Sequence, residues 1–178
     1  TVTLDDVDVA GLIIDERGVA DQGFETINMK VSSNSEIATF TAEDLATLNI
    51  SGTGDLSIAG LSVSNESATV ANPEATLYAA GMAQVAGSLA TVDASALEGD
   101  LTLAIGTEIN AGLQDTSGVP IQMAVTSGSG DDHIILTNGA TVGGTATNTD
   151  TIDGGEGTDT LTVVGSAAIN ATTAGGNI

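Results

Sequence analysis

A short phrase, threonine followed by an aliphatic residue and then usually aspartate or asparagine, returns along the first half of this chain at nearly constant spacing. It occurs as Val2-Thr3-Leu4-Asp5, Glu25-Thr26-Ile27-Asn28, Ala46-Thr47-Leu48-Asn49, Ala68-Thr69-Val70-Ala71 and Ala90-Thr91-Val92-Asp93. Such a repeat constrains the fold strongly, because each unit is too small to bury its own apolar face and must stack on its neighbours. The period of about 22 residues fits one coil of a parallel β-solenoid, in which equivalent positions form ladders.

The residues around each phrase alternate as a half-buried strand does. In Leu45-Ala46-Thr47-Leu48-Asn49-Ile50-Ser51, Ala46, Leu48 and Ile50 are expected to face inward and Thr47 and Asn49 outward. Polar clusters, 51–55 and 98–100, then lead into second strands, Leu56-Ser57-Ile58 and Leu101-Thr102-Leu103-Ala104-Ile105, so that 89–105 repeats 45–58 most clearly. A plain β-sandwich is the alternative architecture. A short helix over Leu77–Leu89 also stays open, although Gly81 and Gly87 weaken it. Pro73 and Pro120 mark turns, and the chain divides by expectation into coils over 1–120 and a distinct segment over 121–178.

Composition narrows the function. The 178 residues carry 2 Lys+Arg against 24 Asp+Glu, a formal charge of −22, which excludes binding to a row of phosphates. Hydrophobic residues make up 41% but aromatics only 2%, so the core must be built in thin layers of Val, Ile, Leu and Ala. There is no cysteine and a single histidine, His133, which removes disulfides, thiol nucleophiles and two-histidine metal sites. Self-repulsion at this charge opposes compaction, yet a mean hydropathy of +0.25 is unlike an acidic disordered chain, so bound cations are expected to offset part of the charge. No run approaches the roughly 20 apolar residues of a membrane span, and no basic leader precedes the first strand. Thr1 begins within an apparent coil and Ile178 follows no clear cap, as expected of a fragment or one domain of a longer protein.

From residue 127 the period shortens. Gly154-Gly155-Glu156-Gly157-Thr158-Asp159-Thr160-Leu161-Thr162 matches the nonapeptide G-G-x-G-x-D-x-U-x at every fixed position, where U is a large aliphatic residue. Stepping back by nines, 145–153 keeps Asp150 and Ile152 but has Asn148 in a glycine slot. The nonapeptide 136–144 keeps only Gly139, with Thr141 for the acid, and 127–135 departs only at Ser127. Glycines permit tight turns with carbonyls directed at an ion, aspartate supplies charged oxygen, and the aliphatic residue anchors a short strand. Ca2+, which takes about 6 to 8 oxygen ligands, suits such a cage.

This run resembles the RTX (repeats-in-toxin, haemolysin-type) calcium-binding family, over 127–162. The resemblance implies a β-roll in which loops two nonapeptides apart share an ion. It would pair 127–132 with 145–150, with ligands from Gly128, Gly130, Asp132, Thr145, Thr147 and Asp150. On the opposite edge it would pair 136–141 with 154–159, where Gly154, Glu156 and Asp159 face Thr141, a weaker site unless Asp153 or water completes it. The phrases Gly23–Asn28 and Val92–Thr102 are similar to coil segments of bacterial surface-layer proteins that carry RTX motifs. That likeness implies type I secretion, an extracellular or cell-surface location and calcium-driven self-assembly.

The expected fold is therefore all-β, a parallel β-solenoid of coils leading into an RTX-type β-roll. The expected function is a structural, non-enzymatic module of a secreted or surface assembly, with calcium ions and further copies of itself as partners. Alternatives are an RTX adhesin or ice-binding module, or the secretion module of a larger exported enzyme. Catalysis is disfavoured, since Arg17 and Lys30 are the only cationic side chains available to hold substrate. His133 reads as a surface residue in a variable slot. Thr3, Thr26, Thr47, Thr69 and Thr91 read as an outward structural column, and Asp5, Asn28, Asn49 and Asp93 as a corner ladder bonding its own backbone. The sequons at Asn49, Asn65 and Asn170 carry little weight in a chain so rich in Ser and Thr.

Overall fold

A computed structural model of the chain describes residues 1–14, 23–43, 45–65, 85–86, 89–105, 123–136 and 151–164. The strands are β1 (Val2–Leu4), β2 (Asp8–Val9), β3 (Leu12–Ile14), β4 (Thr26–Val31), β5 (Ser35–Ile37), β6 (Phe40–Glu43), β7 (Thr47–Gly52) and β8 (Leu56–Asn65). They continue as β9 (Val85–Ala86), β10 (Thr91–Leu97), β11 (Leu101–Ile105), β12 (Ala124–Thr126), β13 (His133–Leu136), β14 (Thr151–Asp153) and β15 (Thr160–Val163). The fold is all-β, and the described residues contain no helix and so no helical membrane span.

The chain alternates between two parallel sheets. One runs β1-β4-β7-β10-β12-β14; the other runs β2-β5-β8-β11-β13-β15, with β6 beside β8 and β3 beside β6. The short β9 pairs antiparallel with the end of β8. Each passage through both sheets forms a tier lying in register on the one before.

Burial follows the two-residue period of a strand. In β4, Ile27, Met29 and Val31 are buried while Thr26, Asn28 and Lys30 face solvent. Register then stacks like on like: Ile27, Leu48, Val92, Val125 and Ile152 form one inward column, and Ile37, Ile58, Leu103, Ile134 and Leu161 another. Both columns join a single hydrophobic cluster extending from Leu4 to Leu136. Each fully buried Leu or Ile contributes about 1.5–3 kcal/mol, so a core almost free of aromatics is adequate if it is continuous. Phe40 is fully buried within it, while Phe24 is exposed.

The expected repeat is right in part. Thr26, Thr47 and Thr91 do stand in one outward column, continued by Ala124 and Thr151, and Leu56 of the second strand pairs with Leu101. Thr3, however, pairs with Lys30 rather than Thr26, because β1 meets β4 at a longer step than the repeat of the phrase. The step from Thr47 to Thr91 is a single tier, since β7 and β10 are directly hydrogen-bonded. No strand stands between them, and Thr69 lies outside the described residues. So do Pro73, Pro120 and most of 77–89; the described part of that stretch, β9, is strand rather than helix.

Asn28, Asn49 and Asp93 also share a column, mid-strand rather than at a corner, and Asn49 Nδ2 donates to Asn28 Oδ1 at 2.8 Å. Asp93 Oδ1 instead accepts from the Ser95 amide and hydroxyl at 3.0 and 2.6 Å, and the register of β10 shifts there. Asp5 belongs to a different corner, where Ser33 Oγ donates to its Oδ1 at 2.7 Å.

At that corner the backbones approach too closely for a side chain. A Cβ on Gly54 would lie 2.6 Å from the Ser33 carbonyl oxygen, on Gly99 2.5 Å from that of Gly54, and on Gly130 2.7 Å from that of Gly99. Gly157 completes the column over Gly130 with φ of +117°, a conformation few other residues adopt. Gly99→Ala should therefore cost about 3 kcal/mol or more, because backbone must move to admit the methyl group. Gly60→Ala in β8, where the new Cβ would sit 3.6 Å from the Ala38 carbonyl oxygen, should change stability by less than about 1 kcal/mol. Denaturant unfolding of the two variants measures the contrast.

Candidate functional site

The glycine corner is lined by two columns of oxygen-bearing residues. The outer column is Asn34, Asp55, Asp100, Asp131 and Thr158, and each acid or amide reaches forward one tier. Asn34 Oδ1 accepts from the Asp55 amide at 3.1 Å, Asp55 Oδ1 from the Asp100 amide at 3.0 Å, Asp100 Oδ1 from the Asp131 amide at 2.8 Å, and Asp131 Oδ1 from the Thr158 amide at 2.9 Å. Asn34 Nδ2 also donates to Asp55 Oδ2 at 2.7 Å. These carboxylates occupy the turn amides that strand pairing leaves over, and their outward placement keeps them hydrated. Asp55 and Asp100, with Asp6, Asp8 and Glu36, also line an open groove of about 470 Å³.

The inner column is Ser35, Leu56, Leu101, Asp132 and Asp159. Leucine fills this core-facing place in two tiers and aspartate in the next two. Asp132 is only 1% exposed; its Oδ1 accepts from the Leu101 amide at 2.7 Å and its Oδ2 from the Gly128 amide at 3.1 Å. Asp159 Oδ1 accepts from the Asp132 amide at 3.0 Å, but its Oδ2 is buried without a hydrogen-bond partner among the described residues. The amide equivalent to that of Gly128 belongs to Gly155, and it donates to Asp153 Oδ1 at 3.2 Å. Asp153 stands where the tier below has Thr126, so this tier, the last described, has one more carboxylate competing for the same donor.

Burial pushes the Asp132 carboxyl above the usual value of 3.8, with repulsion from Asp159 and Asp100 acting in the same direction, against the pull of its two amide donors. Asp93 is the opposite case: the Ser95 hydroxyl and amide hold it below 3.8.

Of the residues expected to hold a metal, Gly128, Gly130, Asp132, Gly154, Glu156 and Asp159 come together in two stacked loops. Thr145, Thr147 and Asp150 lie outside the described residues. The stacking differs from the expected offset of two nonapeptides. Loop 154–159 lies directly on loop 127–132, three nonapeptides earlier, with the Glu156 amide donating to the Gly128 carbonyl at 3.0 Å and the Thr160 amide to that of Asp132 at 2.8 Å. Strand register enforces this, since β13 pairs with β15 and β12 with β14 at the same three-nonapeptide step. Asp159 is thus stacked on Asp132; Thr141, expected opposite it, lies outside the described residues. The Glu156 side chain is exposed. His133 is half-buried on the second sheet, with Nε2 2.8 Å from Thr162 Oγ1.

The outer ladder is absent from the residues expected to carry function, although Gly54-Asp55, Gly99-Asp100 and Gly130-Asp131 recur as a Gly-Asp pair that marks it. Ser127, the one departure from the nonapeptide in its loop, is 1% exposed, and its Oγ, like Asp159 Oδ2, is buried without a partner.

Among the described residues no group of three or more His, Asp or Glu side chains forms a metal cluster. A hard cation at this corner would draw on Asp159 Oδ2, the remaining lone pairs of Asp132, and loop carbonyls. The donor set fits such an ion chemically, being all oxygen, with one buried anionic oxygen unused. Comparison with protein-family models, curated proteins and solved structures finds no match.

The Asp132 shift has a defined sign. Its protonated form is favoured by folding, so its contribution is full below pH 3.8 and is lost as the pH rises through its elevated folded value. The Asp93 contribution is present above 3.8 and lost as the pH falls through its lowered value. In divalent-free buffer, Tm should rise as the pH falls from about 7 towards 3.8, and the rise should be shallower in Asp132→Asn, which has no carboxyl to protonate. Thermal melts across that range provide the check.

Proposed function

We propose that this chain is a calcium-stabilised structural module of a secreted or cell-surface assembly, wound as a parallel β-solenoid whose last tiers are RTX-type loops. The observation that carries the proposal is the replacement of Leu56 and Leu101 by Asp132 and Asp159 in the inner column. Two stacked carboxylates, one buried and one half-buried, are unfavourable unless a proton or cation lies between or beside them, and one of their oxygens is itself buried with no donor among the described residues. At neutral pH, in a chain of charge −22, a divalent cation offsets both the local and the global repulsion.

The match of 154–162 to the calcium nonapeptide, and of 127–135 in all but one fixed place, supports calcium over other hard cations. Support for a structural rather than catalytic role comes from the chemistry available. The histidine is on a sheet face bonded to a threonine, and the acids of the corner are engaged with backbone amides. Parallel tiers with regular polar columns supply a scaffold that can be extended by self-association into a lattice or filament.

The test is a calcium titration of chelator-treated protein up to about millimolar, the range of weak extracellular sites, followed by circular dichroism, thermal melting and light scattering. Saturation at a hundred times the dissociation constant should add about 2.7 kcal/mol per site, with a rise in Tm followed by growth in particle size. Stabilisation without assembly would favour an adhesin or secretion module. A Tm and spectrum indifferent to calcium would overturn the proposal.

A further inference from the structure

The departure at Ser127 invites a different account from a decayed motif. A glycine there would leave no polar atom to satisfy, whereas serine places a hydroxyl in a position 1% exposed and without a partner. Such a group is unfavourable unless something absent from the protein's own donors and acceptors meets it.

Its direction follows from the register. Thr126 pairs with Asp153 and the Ser127 amide donates to the Asp153 carbonyl at 2.9 Å, so Ser127 lies under Gly154. In a parallel in-register pair the two Cβ directions coincide, one strand spacing of about 4.8 Å apart. A Cβ built on Gly154 would run into the carboxylate of Asp159, lying 2.7 Å from its Cγ and closer still to Oδ2. The Ser127 side chain therefore projects into the same inner corner, one tier below the carboxylate oxygen that also lacks a partner. A neutral and an anionic oxygen, both buried and without a hydrogen bond among the described residues, thus belong to adjacent tiers of one corner.

We propose that Ser127 is a ligand residue of this corner, its hydroxyl oxygen joining Asp159 Oδ2 in holding the cation. The assignment rests on the calcium reading above and adds to it a side-chain ligand from a position that the nonapeptide gives to glycine. It is also consistent with glycine at 154, where a side chain would run into the Asp159 carboxylate.

The experiment uses the full chain with Ser127→Ala and Ser127→Gly. Calcium chloride is titrated calorimetrically into chelator-treated protein, and melts are recorded in chelator and in saturating calcium. Both variants should bind calcium at least about tenfold more weakly than the parent chain. In chelator, Ser127→Ala should melt at or above the parent temperature, because an unsatisfied buried hydroxyl has been removed. Equal calcium affinity in all three proteins, or tighter binding by Ser127→Gly, would overturn the role of Ser127 and leave the calcium reading standing. An equal loss of Tm by Ser127→Ala with and without calcium would overturn it too, by making the hydroxyl structural. A parent chain with neither binding heat nor a calcium-dependent Tm would overturn both.

Discussion

In-register parallel stacking sets every residue about 4.8 Å from its counterpart in the next tier, so a side chain that is awkward once is awkward in a column. Apolar positions gain from this arrangement, since Ile27, Leu48, Val92 and Val125 pack on one another without large residues. Acidic positions do not. The architecture of the corner is largely the set of ways in which repeated negative charge is made tolerable.

Two solutions appear side by side. The outer aspartates remain hydrated and each accepts the turn amide of the next tier, so charge is converted into inter-tier hydrogen bonds. Glycine makes this possible by letting the turns of successive tiers approach within backbone contact. Of the inner aspartates, Asp132 is removed from water and Asp159 is half-buried, and amide donors satisfy Asp132 but leave Asp159 with a buried oxygen over among the described residues. That imbalance arises in the last described tier, where Asp153 captures the amide of Gly155. The result is a corner short of positive charge where the nonapeptide loops lie.

Several columns were legible in advance because their signal is local. The period of two in Thr47–Ser51, with aliphatics inward, follows from pleat geometry, and the Thr-aliphatic-Asn/Asp phrase marks the same place on the tier at Thr26, Thr47 and Thr91. The same phrase fails at Thr3, because similar phrases need not occupy equivalent places. Thr3 meets Lys30 across β1 and β4, and Thr47 meets Thr91 directly across β7 and β10. Tier length is set by where strands pair, and connections of any length can be placed between them at modest entropic cost. The nonapeptides behave likewise: their repeat restricts the stacking offset to a whole number of units, and pairing of β13 with β15 makes that number three rather than two.

The sequence by itself determined that the chain is built of β-strands, that its core is aliphatic, that its charge excludes polyanions, and that Asp132 and Asp159 hold the same position of a nonapeptide. These are properties of residue type and local period, which need no distant partner. Only the tertiary structure decided that Asp132 faces Asp159, that leucine precedes them in the same column, that Asp153 takes the amide of Gly155, and that the Ser127 hydroxyl is buried without a bond. Those facts depend on register between tiers, which is fixed by the combined packing of both sheets and by the backbone contacts of the glycine corner rather than by any one segment.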